Sequence, residues 1–527
     1  MLSCAHADQR DADRQALAQL RTRAEQGDAH AQFDLGMAFS LGKFGLATNS
    51  VEAAKCFHKA AEQNDAEAQV NLGICYFNGQ GVTKDEVEAV GWYLKAAKQN
   101  NALAQHNLGV CYFNGRGVAE DKVAAVGWYH KAAEQDLAQA QHNLGVCYAF
   151  GYGVATNFVE AVTWYHKAAQ QGVTEAQFNL GACYAKGQGV AKNEAEAVTW
   201  YRKAAKQNLA QAQHNLGVCY DFGDGVATNF VEAVTWYHKA DEQNHAEAQY
   251  NLGVCYATGQ GVAEDVVKAV ECWRKAARQN HAEAQYNLGI CYETGRGVAE
   301  DQVVAVVWYS KAAEQNYAEA QYNLGVCYAT GQGVPKDEVQ AYKWWLLASA
   351  QGKEGAKQNM TMLERKLTRE QKAEGQKRAG DFNPPEVSLL DTSQSPVHGQ
   401  LPADLRAKAE AGNAQAQNDL GEALYAGKRG VAKDAVAAVK WFRQAAEQNH
   451  PAAQSNLGVC YERGDGVAKY EVEAYKWDLL AAAQGDGKGK RNATMLELLM
   501  LPEQIAEGKR RAKDWLEQRK KASAAGR

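Results

Sequence analysis

From Ala66 onward, apolar and small residues fall at Ala68, Leu72, Cys75 and Tyr76, a spacing that lines them along one side of a helix. Glu67, Val70, Asn71, Ile74, Phe77 and Asn78 share the opposite side at helical spacing too, so this helix keeps a second face that its own packing does not use. Gly79 and Gly81 end it. Asp85, whose carboxylate can accept from a free backbone N–H, is placed to cap a second helix. That helix carries Val87, Ala89, Trp92, Tyr93, Ala96 and Ala97, an apolar set expected to pack against the first. The unit is helix, turn, helix.

The unit recurs. A Leu-Gly pair stands at Leu72, Leu108, Leu144, Leu180, Leu216, Leu252, Leu288 and Leu324, always 36 residues apart, and segments 250–285 and 286–321 agree at 25 of 36 positions. A weaker copy precedes the series at Leu35, and two follow at Leu420 and Leu457. The cap position is Asp121, Asn157, Asn193, Asn229, Asp265, Asp301 or Asp337 in other copies, always a hydrogen-bond acceptor. A fixed period of this length means that each unit buries its apolar face on its neighbours, so the fold class is all-α: an α-α superhelical solenoid of helix-turn-helix repeats with period 36.

Between the two groups of copies, GDFNPPEVSLLDTSQSPVHGQLPAD lacks the repeat phrase and holds four of the seven prolines, which marks a linker. Both groups begin alike (LRTRAEQGDAHAQFDLG from Leu20, LRAKAEAGNAQAQNDLG from Leu405) and end alike (AYKWWLLASAQG from Ala341, AYKWDLLAAAQG from Ala474). The expected organisation is therefore two capped arrays: 1–32 as tail and capping helix, 33–357 as nine repeats, 358–380 as a closing cap, 381–403 as flexible linker, 404–490 as two repeats, and 491–527 as cap and tail.

Composition narrows the partners. With 57 Lys plus Arg against 62 Asp plus Glu, the net charge of −5 gives no electrostatic ground for nucleic acid, and no apolar run is long enough for direct membrane insertion. The amino terminus, MLSCAHADQRDADRQ, has no basic region before an apolar core, which leads us to expect a cytoplasmic protein as written. Leu2-Ser3-Cys4 also looks like the tail of a lipoprotein cleavage site, and a start assigned too far downstream would make the protein periplasmic or lipid-anchored.

Nine of the twelve cysteines, from Cys75 to Cys460, occupy one position of the repeat, where the first copy of each array has Ala38 or Ala423. Neighbouring copies lie about 10 Å apart, beyond the roughly 7 Å reach of a disulfide. These thiols read as packing residues, and no CxxC spacing suggests zinc. The GQGV and GRGV loops lack the strand and the Lys-Ser/Thr of a phosphate loop and read as helix caps. No nucleophile and base converge uniquely, so no catalytic residue, cofactor or metal is expected.

The phrase LGxCYxxGxGVxxD, as at Leu252 to Asp265, resembles the Sel-1-like repeats of the tetratricopeptide superfamily. That resemblance implies a right-handed solenoid acting as an adaptor or scaffold that binds a protein or peptide on its concave surface. It also points to Asn107, Asn143, Asn179, Asn215, Asn251, Asn287 and Asn323, which match the asparagines that tetratricopeptide grooves use to hold an extended peptide; the alternative is a ladder bonded internally between repeats. Beside them run His106, His142, Phe178, His214, Tyr250, Tyr286 and Tyr322, a column of flat rings that either stack between repeats or contact a ligand. Two other functions stay open: a secreted β-lactam-binding hydrolase of the cysteine-rich type, and a structural subunit of a membrane-associated complex. Against the first, the cysteines that bridge repeats in those relatives are replaced here, for instance by Ala277 and Gln285.

Overall fold

The computed structural model describes residues 2–382, 405–426, 434–500 and 502–525; from residue 383 onward the expected linker lies outside the described residues. Among the described residues there are 28 α-helices, one short 3-10 turn and no strand. By internal contacts the chain divides into two units, Met1–Cys272 and Trp273–Arg527. Within each, a first helix packs on the second helix of its own repeat, and that second helix packs on the next first helix.

In the first unit a typical repeat pairs Ala66–Asn78 with Glu86–Lys98. The cap expected at Asp85 is present: its carboxylate accepts the backbone N–H groups of Val87 and Glu88, each at 3.0 Å. Asp121, Asn157, Asn193, Asn229, Asp265, Asp301 and Asp337 make the same kind of bond. The core is a chain of small clusters. In one, Ala89, Tyr93 and Ala96 meet Ala104, Leu108 and Cys111 of the following first helix, with Trp128 packed against the edge. Each fully buried leucine of this kind contributes on the order of 2 kcal/mol.

Two glycines per repeat make the packing feasible. A Cβ on Gly73 would lie 2.5 Å from the Tyr93 ring, so the Leu-Gly pair leaves a flat patch on which the second helix lays its aromatic residue. Gly81 has φ 75°, and a Cβ there would lie 2.0 Å from the carbonyl oxygen of Ser50 in the preceding repeat. The second glycine of GQGV is therefore the place where neighbouring repeats touch backbone to backbone, a role beyond helix capping.

One expectation fails at Val87. It is 69% exposed, as are Val123 at the same figure and Val159 at 63%, although the backbone of this first turn packs against the glycine loop of the next repeat. The buried set on that helix begins at Ala89.

In the second unit, the pairs Ala282–Thr294 with Gln302–Glu314 and Ala318–Thr330 with Glu338–Ala350 are followed by Glu354–Glu364 and Arg369–Gly380. The later repeats pair Ala414–Ala426 with Ala435–Glu447 and Pro451–Arg463 with Glu471–Ala482, followed by Gly487–Leu499 and Pro502–Ala525. The two endings are held alike: Tyr342 donates its hydroxyl to Glu364 at 2.6 Å, and Tyr475 donates to Glu497.

Candidate functional site

The face left over on each first helix carries the ring and asparagine columns. Every asparagine from Asn71 to Asn323 and every ring from His106 to Tyr322 is partly exposed, neither sealed nor free. The rings lean on the aromatic residue of their own second helix: His106 on Tyr129 at 5.8 Å between centroids, His142 on Tyr165 at 6.0 Å, Phe178 on Tyr201 at 5.8 Å, His214 on Tyr237 at 6.0 Å and Tyr286 on Tyr309 at 5.9 Å. Tyr322 differs, since its carbonyl accepts from the Trp345 indole at 3.1 Å.

The asparagines link one repeat to the ring of the repeat before. Asn143 donates to His106 Nε2 at 3.1 Å, Asn179 to His142 Nε2 at 3.2 Å, and Asn251 to His214 Nε2 at 3.1 Å. Asn323 stands beside Tyr286 and Tyr309, and Asn215 pairs with His214 Nδ1 at 3.1 Å. Asn71 donates to the Glu67 carbonyl at 2.9 Å, and His106 Nδ1, beside Asn107, is buried without a hydrogen-bond partner. Asn287 and Tyr250 stand at the equivalent positions, partly exposed. An accepting Nε2 requires a neutral imidazole, and burial holds His106 and His142 below the ordinary histidine range, which keeps them so. The columns are thus brought together side by side, braced between repeats at Asn143, Asn179 and Asn251, with ring surface partly open.

A column absent from the sequence reading proves the most regular of all. Glutamine follows alanine in all eleven copies, from Gln32 to Gln454, and each of these side chains among the described residues is buried. Gln105 donates to the Ala97 carbonyl at 3.4 Å and to Asn100 at 3.0 Å, and its oxygen accepts from Gln135 at 2.7 Å. Gln69, Gln141, Gln177, Gln213, Gln285 and Gln321 accept in the same way from the glutamine that ends the second helix of their own repeat, so the bond to the alanine carbonyl is the one that crosses to the repeat before. Asn100 adopts φ 62°, the left-handed turn that asparagine tolerates. Invariance across eleven copies within one chain was the available signal. At Gln285 the bond to the Ala277 carbonyl, 3.2 Å, joins the two positions where cysteine-rich relatives would place a bridge.

The eleven described cysteines are free thiols. Burial pushes Cys111 and Cys147 up to about 11, which leaves them protonated and poorly nucleophilic at neutral pH. Among the described residues no cluster of three or more metal-ligating side chains forms, and no helix is long and apolar enough to cross a membrane.

The family model described as Sel1 repeat matches nine contiguous segments over 29–353 and two more, 414–450 and 451–486. The chain belongs to the Sel1 repeat family. It is similar to c5321, a protective antigen present in uropathogenic Escherichia coli strains and displaying an SLR fold, at 33% identity over 95% of this chain and 94% of that one, with a TM-score of 0.59. A Sel1 repeat protein from Oxalobacter formigenes is 32% identical over 46% of this chain and 96% of its own length, with a TM-score of 0.42. No curated protein matches this chain. Sel1 repeat proteins generally mediate protein–protein interaction.

Proposed function

We propose that this Sel1 repeat protein is a scaffold that binds an extended segment of a partner protein along the first-helix face of its first array, the concave face of such a solenoid. The observation that carries the reading is the braced row itself. Rings such as His142 and Phe178 keep part of their surface open, while bonds such as Asn179 to His142 fix their spacing before any partner arrives. Pre-set geometry lowers the ordering cost of binding, and ring surface is what a peptide backbone and its side chains pack on. The asparagines hold the rings in register and offer their remaining oxygens to the ligand.

Capture of proteins by the full chain, compared with a chain carrying Phe178→Ala, His214→Ala and Tyr250→Ala, tests this. The expected outcome is a partner retained by the first and lost by the second, with helical content equal. Identical capture by both would remove the face from consideration. Steady turnover of a chromogenic β-lactam by the purified protein would instead favour the hydrolase reading.

A further inference from the structure

The charge on this face is one-sided. The first helices of the nine leading repeats carry Asp34, Glu67, Glu175, Asp221, Glu247, Glu283, Glu293 and Glu319 against a single basic residue, Lys186. Asp221 and Glu293 accept from the tyrosines Tyr237 and Tyr309 and are accounted for. Glu67, Glu175, Glu247, Glu283 and Glu319 share one position, a turn before the asparagine and on its face.

The chain shows what sits against these columns when it supplies the occupant itself. Lys353, at the start of the helix that follows the ninth repeat, places its ammonium 3.3 Å from the Glu319 carboxylate. Lys488, one turn before Asn492 in the closing helix of the later repeats, donates to Asn456 at 2.8 Å. In the first unit the matching place after Glu175 is held by Leu209, which has no charge to offer. Glu175 makes no hydrogen bond or ion pair among the described residues, and it lines an open cleft of roughly 480 Å³ with His106, Gln139, His142, Asn143 and Val173.

We infer that the cleft at Glu175 seats a lysine or arginine side chain of an extended basic segment in the partner protein. The inference rests on the proposed use of the first-helix face and adds the chemistry of what binds there. The cationic head pairs with the Glu175 carboxylate, as Lys353 does with Glu319, and its aliphatic stem lies along the His142 ring. Glutamate early in a helix also complements the helix dipole, so the test must separate binding from capping.

A library of displayed twelve-residue peptides selected on the full chain provides it. Selected sequences should be enriched in lysine and arginine. For the tightest of them, Glu175→Gln should weaken binding about tenfold, the scale of one charge-assisted contact. Leu209→Lys, which supplies an internal lysine in the manner of Lys353, should weaken it as well, and raised salt should act in the same direction. Glu175→Gln should melt close to the parent, and Leu209→Lys somewhat below it, because Leu209 packs against the Ala212 and Leu216 cluster. Peptides without basic enrichment, or binding indifferent to Glu175→Gln, would overturn the inference. If such peptides still depended on Phe178 and Asn179, the groove would stand while its charge preference fell. A library yielding no binder would overturn both.

Discussion

The nine leading repeats and the two later ones share the helix pairing and the buried glutamine yet differ at the columns that face outward. From the third to the ninth repeat the ring position is His, Phe or Tyr and stays partly exposed; in the first two it is the buried Phe33 and Val70, and in the later ones it is Asn418 or Ser455, both buried. Asn456 is spoken for there, donating to Asn418 and Glu422 at 3.0 Å each and accepting from Lys488. The position on the second helix differs too. Trp345 lies against Gly325 in the ninth repeat, whereas Asp478 fills the same place over Gly458 in the last, fully buried, with Oδ1 accepting from Asn492 at 3.2 Å and Oδ2 without a partner. The closing helix comes in to match, with Gly489 and Ala493 where the first array has Ala356 and Met360. The scaffold is therefore separable from the outward row: the same repeat stacks with or without an exposed ring, and the third to ninth repeats keep one.

The sharpest way to probe this contrast is to fill the two glycine patches. Gly325→Ala drives a methyl to 2.5 Å from the Trp345 indole and should destabilise by about 3 kcal/mol, while Gly458→Ala meets only a carboxylate at 2.8 Å and should cost about 1 kcal/mol. Denaturant midpoints of the full chain would show the ranking, and equal costs would mean that the last repeat is packed like the ninth.

Next in size is Asp478. Burial raises it to about 8, with Glu462 and Asp486 adding to the shift and Asn492 and Lys488 opposing it. An acid whose folded value lies above its unfolded value contributes stability that is fully present below the unfolded value and lost as pH rises through the folded one. The later repeats should weaken between pH 4 and 8, and Asp478→Asn should restore about 2 kcal/mol at pH 9 and far less at pH 5. A flat pH profile in the parent would contradict the buried acid.

Gln141→Ala should cost about 1.5 kcal/mol, since it leaves the Gln171 amide and the Ala133 carbonyl without their bonds. In the leading repeats the histidines act with the opposite sign. Burial lowers His106 and His142, so their contribution is present above the ordinary value of 6.5 and lost as pH falls below it. Melting followed from pH 7.5 to 5 should drop, and His142→Phe should reduce the drop. Smallest is Cys147→Ala, about 1 kcal/mol or less, because alanine already fills that position at Ala38.

Much of this was legible beforehand. Period, helix bounds, caps from Asp85 to Asp337 and the buried cysteines follow from local spacing and hydrogen-bonding chemistry, which the sequence states directly. Other features depend on what folding brings near from far along the chain. The glutamine ladder joins the two helices of one repeat across 30 positions and reaches a carbonyl of the repeat before, and Gly81 is required by a carbonyl in another repeat. Val87 looked like core because periodicity does not mark where along a helix the buried set begins. The asparagine column was read with two outcomes; the bonds to His106, His142 and His214 give the internal bracing at three positions, and contact with a partner is what we propose.

Partner affinity measured on two variants of the full chain bears on the central claim most directly. One carries Phe178→Ala, His214→Ala and Tyr250→Ala in the leading repeats; the other carries Ser455→Ala and Asn456→Ala in the later ones. Binding should fall at least tenfold in the first and stay within twofold in the second. Loss in the second with retention in the first would place the contact surface on the wrong array.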